Sequence, residues 1–213
     1  MTLYGYWRSS AAYRVRIAMA IKGVDYVSIP VHLVKDGGQQ HGQEYCAINP
    51  SQLVPSLIDG PLVLTQSLAI LEYLEETQPG PKLLPDDAGA RAQVRAFCQD
   101  IACDMHPLDN LRVLQYLTGE LNVSEADKLK WYRHWVEVGF SALEQRLVKS
   151  AGQYCFGDTL TMADCCLVPQ LYNAKRFDVT LTPFPTLVAV GQRLELLAAF
   201  RLAAPKRQTD ACQ

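Results

Sequence analysis

Hydrophobic residues follow two patterns along the chain: short apolar runs, and the three-to-four-residue spacing of helices. Short apolar runs bounded by turn residues predict β-strands at 2–6, 26–31, 56–58 and 62–64. The last two runs are joined across Asp59-Gly60-Pro61 and predict a hairpin. Helical spacing predicts one helix over 11–22 that ends at Gly23, and a second helix for which Ser67 is the expected N-cap. We therefore expect a strand–helix–strand unit followed by a hairpin and a closing helix.

The segment 78–87 has the composition of an extended connector, with three prolines and a glycine. We place a domain boundary there, with domains at 1–80 and 88–213. Beyond residue 88 the apolar spacing is mostly helical, so the second domain is expected to be all-α. The predicted fold class is α/β plus all-α, with the terminal residues from Lys206 onwards frayed.

Composition and charge exclude several functions. The 20 Lys and Arg residues are balanced by 22 Asp and Glu, for a net charge of -2, so no polycationic surface is available for nucleic acid or anionic lipid. No apolar run approaches the length of a membrane span, and the amino terminus has no leader pattern. We expect a soluble protein.

The cysteine pattern indicates a reducing compartment. The seven cysteines form neither a Cys-x-x-Cys pair nor a Cys/His cluster, which argues against a disulfide framework and against a metal site. A cytoplasmic location is therefore expected. Four cysteines with helical spacing are expected to be buried apolar residues: Cys98, Cys103, Cys165 and Cys166.

Ser9-Ser10 stands at a predicted strand-to-helix junction, where it could bind a thiol. A free thiol has a pKa near 8.5, and helix N-terminal amides and hydroxyl donors favour the thiolate. The alternative is that Ser9 only caps the helix, which is the commoner role of an isolated serine at this position. Tyr4 or Tyr6 could also supply a phenolic donor, although packing in the core suits their position on a strand better.

Two further segments suit a peptide ligand. Val54-Pro55 precedes a strand, where a cis bond could leave the backbone groups of Val54 available for pairing; an ordinary trans proline is the alternative. Gln66-Ser67 precedes a helix, where a hydroxyl and free amides can bind a carboxylate. Thr161 and Asp164 instead form a capping pattern that we interpret as structural. Arg14 and Arg16 are assigned to structural ion pairs along the first helix.

Taken together, these segments resemble the zeta class of the glutathione transferases, over essentially the whole chain. The resemblance is carried by Trp7-Arg8-Ser9-Ser10, Tyr13-Arg14-Val15-Arg16-Ile17-Ala18, Lys35-Asp36-Gly37-Gly38-Gln39-Gln40, Asn49-Pro50 with Leu53-Val54-Pro55, Gln66-Ser67 with the helix after it, and Gly157-Asp158-Thr159-Leu160-Thr161-Met162-Ala163-Asp164. It implies a thioredoxin-like N-terminal domain, an all-helical C-terminal domain, a homodimer and glutathione as cofactor. The family pattern commonly has cysteine after the two serines, whereas this chain has Ala11-Ala12, so a protein thiol there cannot take part.

The resemblance also assigns site residues. Ser9 would donate to the glutathione sulfur with Ser10 in support, Gln66 and Ser67 would bind the γ-glutamyl end, the Val54 backbone would pair with the cysteinyl unit, and Gln40 would reach the glycyl side. The complete cofactor-binding set is Ser9, Ser10, Gln40, Val54, Pro55, Gln66, Ser67, His106 and Asn110. The substrate-binding set is Arg8, His106, Arg112 and Arg176, and the catalytic set is Ser9, Ser10, Arg8 and Arg176.

The implied reaction is cis-trans isomerisation of a maleyl keto acid in aromatic compound catabolism, through nucleophilic catalysis by the cofactor thiol. Such substrates are dicarboxylates and need cations, a role for which the three arginines are candidates. A surface role for Arg112 or Arg176 is an equally open interpretation. Two other functions stay open: a transferase that conjugates small electrophiles such as α-halo acids, and a non-catalytic docking module.

Overall fold

A computed structural model describes residues 1–211 of the chain. Its strands are β1 (Thr2–Gly5), β2 (Val27–Pro30), β3 (Ser56–Asp59) and β4 (Leu62–Thr65). Its α-helices are α1 (Ser10–Lys22), α2 (Gln43–Ile48), α3 (Ser67–Thr77), α4 (Ala88–Gln99), α5 (His106–Asp109), α6 (Leu111–Gly119), α7 (Glu125–Ser150), α8 (Met162–Arg176), α9 (Pro185–Glu195) and α10 (Ala198–Ala203). All four predicted strands and both predicted N-terminal helices are present, whereas the short helix α2 was not predicted.

By their internal packing the residues form two compact units. One comprises Met1–Leu83 together with the chain from Leu197 onwards, and the other comprises Leu84–Leu196. The predicted second domain, 88–213, therefore differs from the second unit, because the chain from Leu197 onwards groups with the N-terminal residues. The first unit is an α/β structure and the second is helical, as expected for a thioredoxin-like domain and an all-helical domain.

The sheet of the first unit has the strand order β2-β1-β3-β4. β1 pairs in parallel with β2, while β3 is antiparallel to both β1 and β4. Its register aligns Tyr4 with Ser56 and Ser56 with Thr65. Because of these directions, the ends of β1, β2 and β4 and the start of β3 all lie at one edge of the sheet. The chain segments that follow or precede them at this edge carry the predicted cofactor-binding residues of this unit.

α1 is almost wholly buried, and Gly23 ends it in the left-handed conformation that glycine adopts without a steric cost. α10 packs against it, with Arg16 Nε donating to the Ala203 carbonyl at 3.0 Å. Arg16 Nη1 and Nη2 donate to the carbonyls of Tyr6 and Trp7. The predicted ion pair for Arg16 is thus wrong: carbonyls surround it, and burial lowers its pKa to about 10.

The C-terminal residues within the described range are ordered against this unit, so the prediction of fraying from Lys206 is wrong for 206–211. Pro205–Arg207 form a 3₁₀ turn. Asp210 is buried and its Oδ2 accepts a hydrogen bond of 3.0 Å from the Trp7 N–H. A charge-assisted bond to the backbone just before Ser9 therefore ties this segment to the first unit.

The second unit contains α4 to α9 and a π-helical stretch, Asp100–Met105, that leads directly into α5. α8 begins with the predicted capping arrangement, in which the Thr161 N–H donates to Asp164 Oδ2 at 2.7 Å. This structural role is confirmed. Burial raises the pKa of the Asp164 carboxyl. Cys98, Cys165 and Cys166 are buried as predicted, but Cys103 is exposed, which corrects that part of the prediction.

Candidate active site

Ser9 occupies the N-cap position of α1. Its Oγ accepts a hydrogen bond of 3.2 Å from the Ala12 N–H, so the expected capping bond is present. Within residues 1–211, the Ser9 hydroxyl has no acceptor for its own proton. A hydroxyl can accept and donate at once, so Ser9 can cap the helix and still donate to a ligand. Ser10, the next residue, is the first residue of α1 and is buried.

The Val54–Pro55 peptide bond is cis, as the sequence context favoured. The preceding carbonyl, that of Leu53, accepts 2.6 Å and 2.7 Å hydrogen bonds from Tyr45 Oη and Asn49 Nδ2. In the part of the chain that the structure describes, neither the N–H nor the C=O of Val54 has a hydrogen-bond partner. These two bonds hold the loop in place at Leu53, while Val54 presents both of its backbone groups, as pairing with an extended peptide requires.

The N-terminus of α3 differs from the prediction in one respect. Gln66, not Ser67, is the N-cap residue, and its side chain makes no capping bond. Within 1–211 the N–H groups of the first turn have no partner, those of Ser67, Leu68 and Ala69. Gln66 has φ 68°, a conformation that costs a non-glycine residue roughly 1–3 kcal/mol. These free amides, with the positive end of the helix dipole, form a site for an anion.

Ser67 is the first residue of α3 and is buried. Its Oγ lies 3.2 Å from Arg14 Nη1. Arginine can only donate, so Ser67 accepts in this bond, and its own proton has no acceptor among the described residues. The Arg14 side chain is 1% exposed. Sequence reasoning missed this connection; the only available signal was an arginine among the buried positions of α1.

Gln40 lies in a 3₁₀ turn beyond β2 and is buried. Its Nε2 is 3.3 Å from the Leu33 carbonyl and 3.1 Å from His41 Nε2. Because a carbonyl only accepts, the amide nitrogen must face Leu33, so His41 Nε2 is unprotonated and accepts as well. His41 Nδ1 then donates to Gln52 Oε1 at 2.6 Å. The chain leaves Gln40 Oε1 buried with no partner within 1–211.

Arg8 is the exposed cation beside the serines. Its guanidinium carbon lies 4.2 Å from the ring centroid of Trp7, a cation–π contact that orients the group and leaves its N–H donors available. Tyr6 is buried with its ring 4.8 Å from that of His32, and the Tyr4 ring is 6.0 Å from that of Tyr45. Both tyrosines pack in aromatic contacts, in keeping with the expected packing role.

The remaining predicted residues lie in the second unit. His106 begins α5 directly after the π-helical stretch, a type of distortion that often marks functional sites. Asn110 caps α6, and its Oδ1 accepts from the Arg112 N–H at 3.1 Å. The Arg112 side chain is exposed. The structure thus gives Asn110 a capping role and leaves the Arg112 guanidinium available to solvent.

Arg176 is the last residue of α8 and is exposed. Its guanidinium carbon is 4.5 Å from the ring centroid of Phe177. That ring stacks on Tyr132 at 3.8 Å, and the Phe177 carbonyl accepts a 2.9 Å bond from Arg133 Nε. Two side chains of α7 therefore fix the end of α8 that carries Arg176. Burial is the main cause that raises the pKa of Tyr132.

A buried hydrogen bond joins α5 to α8. Gln170 Nε2 donates to Asp109 Oδ2 at 3.0 Å, and both residues are buried. This bond links α8, which carries Arg176, to α5, which begins at His106. Asn110 and Arg112 follow α5 directly, as the N-cap and a first-turn residue of α6.

Two negative findings apply to residues 1–211. No group of three or more His, Cys, Asp or Glu side chains is arranged to hold a metal ion. No helix in this range combines the length and the apolar character needed to cross a membrane.

Comparison with known proteins identifies the family. Residues 1–76 match the model for the glutathione S-transferase N-terminal domain, and 137–201 match that for the C-terminal domain. A probable maleylacetoacetate isomerase of Vibrio cholerae is 55% identical over 212 residues, covering 100% of this chain and 99% of the relative.

Solved structures agree with this assignment. A holo structure of maleylpyruvate isomerase, described as a bacterial zeta-class glutathione S-transferase, is 46% identical with a TM-score of 0.95, covering 99% of this chain and 100% of the other. A maleylacetoacetate isomerase from Methylobacterium extorquens, solved with bound malonate and GSH, is 40% identical with a TM-score of 0.95 and 99% coverage of both chains. The chain belongs to the glutathione S-transferase family, in the zeta class of maleylacetoacetate and maleylpyruvate isomerases.

Proposed function

We propose that this protein is a glutathione-dependent cis-trans isomerase that converts maleylpyruvate or maleylacetoacetate to the fumaryl isomer in the catabolism of aromatic compounds. The observation that carries the proposal is a set of polar groups at one edge of the sheet that have no partner among residues 1–211. They are the Ser9 hydroxyl proton, both backbone groups of Val54, and the first-turn amides of α3. A thiol, an extended peptide backbone and a carboxylate are the three features that such groups bind.

Glutathione has these three features in one molecule, so the residues of the first unit fit it. Ser67 and the α3 amides would bind its γ-glutamyl carboxylate, with Gln66 beside them, and the Val54 backbone before Pro55 would pair with the cysteinyl unit. Gln40 has an acceptor rather than a donor to offer, which suits the amide N–H of the glycyl residue. His106 and Asn110 complete the proposed cofactor set from the second unit.

When bound, glutathione supplies the thiolate nucleophile that makes the substrate double bond temporarily single, so that it can rotate. The Ser9 hydroxyl would donate a hydrogen bond to the sulfur and, with the N-terminus of α1, favour the thiolate. Ser10 supports this position. A protein thiol directly after the serines cannot take part, because Ala11 and Ala12 stand there.

The substrate has a carboxylate at each end, and the proposed partners are arginines with His106. Arg8 and Arg176 each hold a guanidinium over an aromatic ring, at 4.2 Å and 4.5 Å. This contact restricts the guanidinium plane while its N–H groups stay available to a carboxylate. Arg112 is the third candidate. Such arginines would orient the substrate and stabilise negative charge that develops on its carbonyl oxygens.

Maleylpyruvate mixed with purified protein and substoichiometric glutathione tests the proposal. We expect the cis acid to disappear and fumarylpyruvate to form while glutathione is conserved, and a parallel assay with maleylacetoacetate ranks the two acids. Stoichiometric loss of glutathione to an α-halo acid, with neither maleyl acid converted, would establish a conjugating transferase instead. Failure to bind glutathione would favour a docking module.

The proposal extends to assembly and location. A homodimer is supported by the resemblance to the family. A cytoplasmic location is supported by the free thiols of the described chain: Cys46, Cys98, Cys103, Cys155, Cys165 and Cys166. Cys212 lies outside the described residues.

A further inference from the structure

The buried Arg14 of α1 contacts Ser67, the serine that begins α3. The proposed reaction gives Arg14 no role at the site. Its Nη1 lies 3.2 Å from Ser67 Oγ, and the Arg14 and Ser67 side chains are 1% and 5% exposed. This contact places a buried guanidinium next to the N-terminus of α3, whose N-cap residue makes no side-chain capping bond.

The direction of this hydrogen bond decides what the Ser67 hydroxyl can still do. Arg14 can only donate, so one lone pair of Ser67 Oγ is occupied, and the Ser67 proton is left to point to another acceptor. No described residue accepts that proton. The α3 amides of the first turn also lack partners within the described chain, so the hydroxyl and the amides together present donors to one anion. A serine without Arg14 could instead rotate and donate within the protein.

A second polar pair lies between the same two helices and shows what a purely structural contact looks like. Lys22 Nζ is 2.8 Å from Glu75 Oε2, and each of these residues stands eight positions beyond Arg14 and Ser67. At 1.5 Å per residue the two pairs are about 12 Å apart. Lys22 also donates to the carbonyls of Gln78 and Pro81, so this pair is directed into the protein.

We propose that Arg14 is a positioning residue for anion binding: its guanidinium fixes the rotamer of Ser67 so that the hydroxyl donates to the γ-glutamyl carboxylate of glutathione. This inference rests on the proposed function for its ligand. Arg14 therefore acts on glutathione affinity and not on the chemistry at the sulfur.

A double-mutant cycle on the full chain tests this, with Arg14→Gln, Ser67→Ala and both together. Arg14→Gln is expected to weaken the glutathione Kd about tenfold, the usual size of a lost charge-assisted interaction. In the Ser67→Ala background the same change is expected to alter Kd by less than about twofold. At saturating glutathione, Arg14→Gln is expected to have the kcat of the wild type, so that only Kd responds. Lys22→Gln is the matched control, and it should lower the free energy of unfolding with Kd unaltered.

If Arg14→Gln does not fold, Arg14→Lys takes its place in the cycle, because lysine keeps the charge and loses the guanidinium geometry. It should weaken Kd by about threefold, and only when Ser67 is present. Equal weakening with and without Ser67, or no weakening, overturns the role of Arg14. If the wild type binds glutathione and the cycle shows coupling between Arg14 and Ser67, but no isomerisation is observed, only the proposed reaction is overturned. Wild-type protein that binds no glutathione overturns both.

Discussion

Two helices of the first unit begin with a serine near the same edge of the sheet, and their N-termini are built differently. At α1, Ser9 stands before the helix and accepts the Ala12 N–H of its own first turn. At α3, Ser67 is the first helical residue and accepts from Arg14 of the neighbouring helix. α1 keeps a cap, while α3 has none. The difference shows that the donor to the serine oxygen matters. Where that donor is an amide of the same helix, the helix is capped; where it is an arginine of another helix, the first-turn amides stay available to a ligand.

The two sites therefore suit different ligands. The capped N-terminus of α1 offers one hydroxyl proton, which is enough for a sulfur atom. The uncapped N-terminus of α3 offers a hydroxyl proton and several amides, which suit the two oxygens of a carboxylate. A third helix start, that of α7, is the structural reference. There Ser124 accepts from the Asp127 N–H at 3.1 Å and donates to Asp127 Oδ2 at 2.7 Å, so its hydroxyl proton is already used within the helix start.

The largest expected effect comes from Ser9→Ala. Loss of a hydrogen bond to developing or full negative charge on the reacting atom should lower kcat about 100-fold. The lost cap should also lower the free energy of unfolding by about 1 kcal/mol. Steady-state isomerisation and urea unfolding measure the two effects. A variant with nearly normal kcat would reduce Ser9 to a cap.

Ser67→Ala should affect binding instead. Loss of one charge-assisted donor is expected to weaken the glutathione Kd about tenfold, since such bonds contribute roughly 1.5–3 kcal/mol. At saturating glutathione, kcat should stay within about twofold of wild type. Titration calorimetry and saturation kinetics separate these quantities. If kcat fell while Kd did not change, the assignments of the two serines would have to be exchanged.

The strained backbone at Gln66 provides a smaller test, which compares Gln66→Gly with Gln66→Ala. Both remove the side chain, but only glycine accepts φ 68° at no steric cost. The glycine variant should therefore be more stable than the alanine variant by about 1 kcal/mol in urea unfolding. Equal stabilities would show that this conformation stores no strain.

Ser124→Ala should have the smallest effect on function. It removes a helix cap from α7 and is expected to lower the free energy of unfolding by about 1 kcal/mol, as Ser9→Ala does. Because the Ser124 proton is used in the bond to Asp127, kcat and the glutathione Kd should not change. If Ser124→Ala lowered kcat as much as Ser9→Ala does, the effect of Ser9→Ala would be attributed to decreased stability and not to a lost bond to the sulfur.

Most of the fold was predictable, because periodicity and turn residues depend on local sequence. The strands at Thr2–Gly5 and Val27–Pro30, the hairpin and the two helices follow from such patterns. α2 was missed because its six residues are too few to show helical spacing. The chain from Leu197 also appeared to continue the helical domain. Its hydrogen bonds to Tyr13 and Arg16 of α1 are long-range contacts that no local pattern reveals.

The segments that carry the candidate site could be recognised for the same reason, while the roles of their residues stay predictions. Ser9, Val54 and Ser67 stand in recognisable segments. The supports behind them were not visible, because Arg14 reaches Ser67 across 53 residues and Tyr45 reaches the Leu53 carbonyl from a helix that was not predicted. The exact cap residue of α3 was also misassigned, since both Gln66 and Ser67 are compatible with a helix start.

An ultraviolet titration of the glutathione thiolate, bound to wild type, Ser9→Ala and Ser67→Ala, tests the central difference most directly, because it yields both the thiol pKa and the Kd. For the wild type we predict a thiol pKa well below the value of about 8.5 for a free thiol. Ser9→Ala should return the pKa towards that value with little change in Kd, while Ser67→Ala should weaken Kd and leave the pKa depressed. An identical pKa in wild type and Ser9→Ala would contradict the account.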